Sequence, residues 1–338
     1  MDGVHTGPEA VVPLAVAVDD ALASVPPDLV DGAEQVLSGL LASVDDRARS
    51  ALDRVADRLP AGVVRVPKGR IADLQRCERL AVARHLRPDG RPPGRAALRG
   101  VALDRFVLLA VGGSALDEPT AELLSVLDAQ GEESLCDQVL AAATDDLGVF
   151  DDLVGPVESW RDLPEEWWPR LQTAATVSLA DGRVVCSGRL DAELGGPLVH
   201  RAGVVVEVKS SSPSPAHVEE VALYALLVGW RDGVPPALVV RWYPFHGAAV
   251  MPVDAGVLES AATRLAGAVE VWVELLAGRG PREVPGPWCR WCPDASGCPS
   301  STAPAAQDAG ADRVPGQVVD GFDDGEAEWE PPEDGVDT

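Results

Sequence analysis

At residue 173 the spacing of apolar residues changes from the three- and four-residue repeat of helices to the two-residue alternation of strands. Thr176 to Leu179, an Ala-Asp-Gly turn, and Arg183 to Leu194 read as a hairpin with Asp181-Gly182 at its tight turn. Gly195-Gly196-Pro197 turns the chain again, and Gly203 to Lys209 forms a third strand. A helix over 215–230 precedes strands near Leu238–Tyr243 and Ala249–Val253, and a long helix follows from about Ala255 to Ala277. Strands interleaved with helices in this order specify an α/β fold, a small mixed sheet flanked by helices.

Upstream of residue 173 the chain reads as helical. Val36, Leu37, Leu40, Leu41, Val44, Ala48, Leu52, Val55 and Leu59 recur at helical spacing until Pro60 stops them, so residues 1–60 form a helical N-terminal extension. A second helix over 70–86 carries Cys77, a loop follows from Pro88 to Gly94, and a helix from about Ala96 to Val111 holds Asp104. Residues 117–172 form a mostly helical insertion whose Trp160, Trp167 and Trp168 serve as core or interface anchors. Beyond Ser300 the composition is Pro, Gly, Ala, Asp and Glu with scattered Val, too poor in apolar surface to offset chain entropy. The organisation is therefore an extension (1–60), a central domain (61–300) and a disordered acidic tail (301–338).

The net charge of −26 over 338 residues excludes a uniformly basic nucleic-acid binder. The acid is concentrated in the tail, however, while Arg65, Lys68, Arg70, Arg76, Arg79, Arg84, Arg87, Arg91, Arg95, Arg99 and Arg105 crowd one middle segment. Local charge decides the partner. No apolar run approaches the roughly 20 residues of a membrane helix, so a soluble, cytoplasmic protein is expected. Lys68 and Lys209 are the only lysines among many arginines. Where arginine has replaced lysine so widely, a lysine that persists marks a site needing a compact cation.

Glu207 and Lys209 share one strand face, with Val206 and Val208 on the other. If the strands pair across the Gly-Gly-Pro turn, Asp191 in Gly188-Arg189-Leu190-Asp191 faces Glu207. Two carboxylates at that range repel unless a hard divalent cation, Mg²⁺ or Mn²⁺, lies between them. Such an ion acidifies bound water and offsets charge on a phosphoryl oxygen. Alone, the pattern is weak and more often marks a surface ion pair.

Together these residues resemble the PD-(D/E)XK nuclease superfamily, in its RecB-like branch. The resemblance implies a restriction-endonuclease-like core in which Asp191 and Glu207 bind metal and Lys209 assists attack by water. The family's Gln-x-x-x-Tyr motif has its counterpart at Glu220 and Tyr224, with glutamate replacing glutamine. Its Gly-x-x-x-His, where histidine is a further ligand, corresponds to Gly100-Val-Ala-Leu-Asp104, which makes Asp104 a candidate metal ligand.

Six cysteines occur, and Trp288-Cys289-Arg-Trp291-Cys292-Pro293-Asp-Ala-Ser-Gly-Cys298 gathers three of them. Three thiolates are one short of a complete zinc or iron–sulfur set. RecB-like nucleases with an iron–sulfur cluster, including CRISPR-adaptation nucleases and AddB, take the fourth cysteine from a helix before the nuclease core. Leu74-Gln-Arg-Cys77 is similar to that context, so the resemblance implies a [4Fe–4S] cluster on Cys77, Cys289, Cys292 and Cys298 rather than zinc. His85 is an alternative ligand. Cys136 and Cys186 read as small buried residues, and His200 and His217 as surface ones.

The expectation is thus a Mg²⁺- or Mn²⁺-dependent deoxyribonuclease, an exonuclease on single strands or duplex ends, with a catalytically weak DNA-end-binding or partner-binding subunit as the alternative. The arginine-rich segment would wall the DNA path. The acidic tail, with Phe322 and Trp329 among its carboxylates, would recruit a basic partner such as a helicase or dock on that wall.

Overall fold

The computed structural model describes residues 12–87, 94–195 and 203–302. Its elements run α1 (Leu14–Ser24), α2 (Pro27–Arg54), β1 (Val64–Pro67), α3 (Lys68–Arg76), α4 (Glu78–Leu86), α5 (Arg95–Val111), α6 (Pro119–Ala129), α7 (Glu133–Asp145) and α8 (Val154–Glu158). Then follow β2 (Arg170–Leu179), β3 (Val184–Leu194), β4 (Val204–Val208), α9 (Pro215–Asp232), β5 (Leu238–Tyr243), β6 (Gly247–Pro252) and α10 (Ala255–Leu276). The expected α/β class is what is observed: a six-stranded mixed sheet with helices on both faces.

The hairpin forms as its turn chemistry dictates. Ala180, Asp181 and Gly182 all take positive φ, which glycine and aspartate accept more readily than most residues. From that turn β2 pairs antiparallel with β3 along its whole length, from Leu179↔Val184 to Arg170↔Glu193. One edge of β3 is thereby used up, so its other two partners must share the remaining edge. β1 pairs parallel with Val184–Ser187, and β4 pairs antiparallel with Ala192–Leu194. β1 and β4 consequently point their C-terminal ends at each other, leaving Gly188–Asp191 of β3 open between them. β5 continues the sheet parallel to β4, and β6 closes it antiparallel.

Two cores sandwich the sheet. On one face α2, α3, α9 and α10 bury Leu37, Val44, Leu52, Tyr224, Leu226 and Trp272 against Cys186, Leu190, Val205 and Val239. On the other, α1 and α5–α8 bury Leu14, Leu103, Phe106, Leu127 and Trp160 against Leu194, Val206, Leu238 and Trp242. β3 changes phase between them. Its residues Cys186 and Leu190 belong to the first core, whereas Ala192 and Leu194 belong to the second. The shift falls at Asp191, opposite Gln172, whose φ is +52°. A strand that alternated regularly would send Leu190 and Ala192 to one side.

Several expectations are corrected. β1 was not anticipated from the sequence, because four residues carry too little alternation to register. β2 starts at Arg170, six residues before the expected Thr176 and inside the insertion assigned as mostly helical. The continuous helix over 70–86 is broken at Cys77, which is extended (φ −165°, ψ 122°). The N-terminal helical region, expected to pack on the main domain, does so: α2 lies along α10 and fills the first core. Trp160 and Trp167 are buried, while Trp168 is exposed. Among the described residues no helix is long and apolar enough to cross a membrane. The loop 88–93, most of the Gly-Gly-Pro turn, Arg91, His200 and the tail from 303 lie outside the described residues.

Candidate functional site

The gap between β1 and β4 opens into a cleft of about 400 Å³ that gathers side chains from distant parts of the chain. Lys68 enters it as the first residue of α3, immediately after β1; Glu207 and Lys209 enter from the end of β4; Glu220 comes from the second turn of α9; Asp104 comes from α5. The β3–β4 register, Ala192 against Val206, puts Asp191 across from Glu207. There the ladder ends. The Asp191 Oδ2 takes over as acceptor for the Val208 N–H at 2.7 Å, which fixes the carboxylate at the cleft floor.

Both lysines of the chain meet at the same two glutamates. Lys209 Nζ lies 2.9 Å from Glu207 Oε1 and 2.6 Å from Glu220 Oε2. Lys68 Nζ lies 3.3 Å from that same Glu207 oxygen and 2.6 Å from Glu220 Oε1. Glu220 thus spans the two ammonium groups. Burial pushes its carboxyl toward the neutral form, but Lys68 and Lys209 outweigh burial and hold it well below the usual range. Burial likewise disfavours a charged Lys209, yet Glu207 and Glu220 raise it above the ordinary lysine value. Lys209 therefore stays protonated and acts as a cation, not as a base.

The remaining carboxylates lack that compensation. Burial, then the nearness of Glu207 and Asp104, drives Asp191 well above the usual range. Asp104 is pushed up to about 7 by burial and Glu207, against the pull of Arg105 and Arg189. Glu207 is also raised, chiefly by burial, although both lysines oppose it. Its Oε2 is buried without a hydrogen-bond partner. A buried orphan carboxylate oxygen beside two mutually repelling carboxyls is a donor set suited to a hard cation. The same three residues fit Mg²⁺ or Mn²⁺ by chemistry, although no three His, Cys, Asp or Glu side chains among the described residues are already drawn to single-ion spacing.

Tyr224 sits behind this cluster and not in the cleft. It is fully buried, donates its hydroxyl hydrogen to the Arg189 carbonyl and carries Lys68 Nζ 5.0 Å above its ring centroid. Gly188 makes room for it, since a Cβ there would lie 2.7 Å from Tyr224 Cε1. Tyr224 therefore supports Lys68 and the β3 backbone from beneath. His217 is corrected outright: expected on the surface, it is 1% exposed, with Nδ1 3.0 Å from the Tyr243 hydroxyl and Nε2 3.4 Å from Ser211 Oγ.

Cys77, Cys289, Cys292 and Cys298 line a second, smaller cavity. All are free thiols. The break at Cys77 is what reaches them, because three successive residues there grip the C-terminal segment. The Val284 N–H donates to Cys77 Sγ at 3.5 Å. Glu78 accepts from the Arg282 N–H at 2.8 Å and from Arg279 at 3.0 Å. Arg79 binds Asp294 at 2.7 Å, the Gly297 carbonyl at 2.9 Å, and Glu283. Four thiols around one cavity, with a backbone N–H aimed at one sulfur, fit a four-thiolate cluster or ion. His85 packs edge-on against Trp272 and is no part of this cavity. Cys186 is wholly buried, its thiol pushed up to about 12, and Cys136 is partly buried.

The arginine-rich segment is spent mostly on internal pairs. Arg79 and Arg87 brace the cysteine segment, Arg95 and Arg99 pair with Asp146 and Asp152, and Arg70 stacks on Trp272 at 4.4 Å. Lys68, Arg76 and Arg84 line the cleft, Arg84 paired there with the buried Asp73, and they are joined by Arg189 and by Arg264, which pairs with Glu219; the sequence pattern did not single out these last two.

No protein-family model matches the sequence, and a search of curated proteins found no match. A protein called SSO0001, of known crystal structure, shares 14% identity over 75% of this chain and 94% of its own, with a TM-score of 0.34.

Proposed function

We propose that the chain is a metal-dependent deoxyribonuclease of the iron–sulfur RecB-like kind, hydrolysing phosphodiester bonds in the cleft between β1 and β4. The observation that carries this reading is the buried, unpartnered Glu207 Oε2 beside Asp191 and Asp104, all three held in high-pKa surroundings that a divalent cation would relieve. Such an ion would supply Lewis acidity and acidify an attacking water. The protein's own residues do the rest. Asp104, Asp191 and Glu207 are the side chains that would hold the ion. Lys209, protonated and fixed by two glutamates, presents positive charge where a phosphate accumulates negative charge. Lys68 and Glu220 keep Lys209 in place, so the Glu220 that departs from the family's glutamine is matched by a second lysine.

The cysteine cavity fits the proposed [4Fe–4S] cluster on Cys77, Cys289, Cys292 and Cys298. A cluster there would cross-link the α3–α4 break to the C-terminal segment. Arg76 and Arg189 line the cleft beside Arg84 and Arg264, which are paired with Asp73 and Glu219, and would offer cationic groups to a phosphodiester backbone.

The test is cleavage of labelled single- and double-stranded DNA by anaerobically purified protein with Mn²⁺ or Mg²⁺. Activity should require the metal and fall by about two orders of magnitude or more in Lys209→Ala, the usual scale for losing a charge-stabilising group. Folded, iron-bearing protein that binds DNA equally with and without Lys209, and cuts neither substrate, would instead identify a binding subunit.

A further inference from the structure

Among the described residues, Trp288 is the one that lines both the cleft and the cysteine cavity. Its indole is held on two sides. Nε1–H donates to the Val284 carbonyl at 2.8 Å. A Cβ built on Gly286 would stand 2.4, 2.6 and 2.6 Å from three ring atoms, Cζ2, Cε2 and Cη2. Nearly equal distances to neighbouring atoms arise only over the ring face, so the Gly286 backbone backs the indole plane and no larger residue fits there. The result is a rigid aromatic surface at the cleft edge.

Its position along the cleft follows from α3. Lys68, at the N-terminus of that helix, touches the glutamates; Arg76, at its C-terminus, adjoins Cys77, which shares the second cavity with Trp288. Nine helical residues span about 12 Å between first and last. Arg76 lines the cleft together with Trp288, as does Arg84 in its pair with Asp73, so a cationic side chain for a phosphodiester backbone accompanies an aromatic plane for a base. That pairing is the usual composition of a single-strand path, and a duplex-embedded base could not reach the ring.

We propose that Trp288 is a stacking platform for one unpaired nucleobase, set about one α3 length from the carboxylates, so that the cleft takes single-stranded DNA. The inference rests on the nuclease reading and names its substrate. The full-length protein is titrated with a labelled oligothymidylate in the absence of divalent ions, so that nothing is cut, and each nucleotide in turn is made abasic. Removal of the base at one position should weaken binding roughly tenfold, the scale of a lost base–aromatic stack. Dihydrothymine at that position, which keeps the base edge but not its planarity, should weaken wild-type binding similarly. Trp288→Ala should abolish both penalties and Trp288→Phe should retain most of them. Equal affinity for every abasic oligonucleotide, or a penalty that persists in Trp288→Ala, would overturn the platform. The wild-type scan decides even if the alanine variant does not fold. Protein that binds no DNA overturns the nuclease reading as well, whereas binding with metal-dependent cleavage but no positional penalty overturns the platform alone.

Discussion

Asp104, Asp191 and Glu207 are held with raised pKa values in a site where Lys209 and Glu220 are held charged, and that division sets how the protein responds to pH. Unfolded, the three carboxyls titrate near 4. Folded, they keep protons to higher pH, Asp104 to about 7. Across that window the folded chain binds more protons than the unfolded one, so this cluster makes stability fall as pH rises. Glu220 works the other way, but its depressed pKa confines its loss of stabilisation to acid pH, below the window. A divalent ion competes with those protons and relieves the repulsion left once they depart. Saturating Mn²⁺ should therefore raise the melting temperature more at about pH 8 than at about pH 5.5. Calorimetry at the two pH values checks this; an equal shift at both would mean that the ion binds away from these carboxyls.

The break between α3 and α4 is where two distant parts of the chain are joined. An uninterrupted helix would carry the residue-77 side chain along its own surface. The extended Cys77 instead brings 77, 78 and 79 into contact with the segment 279–297. Arg79 makes three of those contacts, so Arg79→Ala should speed amide exchange of residues 283–298 about tenfold or more while α9 and α10 stay protected, as read by hydrogen-exchange mass spectrometry. Unchanged exchange would mean that the segment is held by other contacts. The cysteine spacing was legible in the sequence, but the break was not, because residues 70–86 contain no proline or glycine to mark an interruption. The same limit applies to Lys68. Its scarcity as one of two lysines was visible, but its role depends on β1, whose four residues meet β3 more than a hundred positions later. Local pattern located Asp191, Glu207 and Lys209 because two adjoining strands carry them. Lys68, Arg189 and Trp288 reach the cleft only through packing, as does the burial of Tyr224 and His217.

At the scale of the whole molecule, the sheet is covered on both faces and an N-terminal helix contributes to each cover. α1 contributes Leu14 and Val18 to the core beneath α5, while α2 contributes Ala33, Leu37, Val44, Ala48, Ala51 and Leu52 to the core beneath α9 and α10. Arg47 adds a two-pronged pair with Glu270 of α10. Each fully buried valine or leucine contributes roughly 1.5–3 kcal/mol, and a whole domain is stable by only about 5–15 kcal/mol. Loss of α1 and α2 thus removes stabilisation comparable to the total and exposes the apolar face of α10. Deleting residues 1–60 should yield aggregated or unfolded protein. Residues 303–338 contribute differently: they contain eleven acidic residues and one arginine, which is over a third of the net charge of −26. Deleting them should leave the melting temperature within a few degrees of the full chain. If the tail competes for the cleft arginines, their deletion should also strengthen DNA binding at low salt, with the gain vanishing as salt screens it. Melting curves and salt-dependent binding for the two truncations decide the point. A folded protein lacking 1–60 would show that the sheet and its later helices suffice alone, and affinity indifferent to the tail at every salt concentration would leave the tail no part in the cleft.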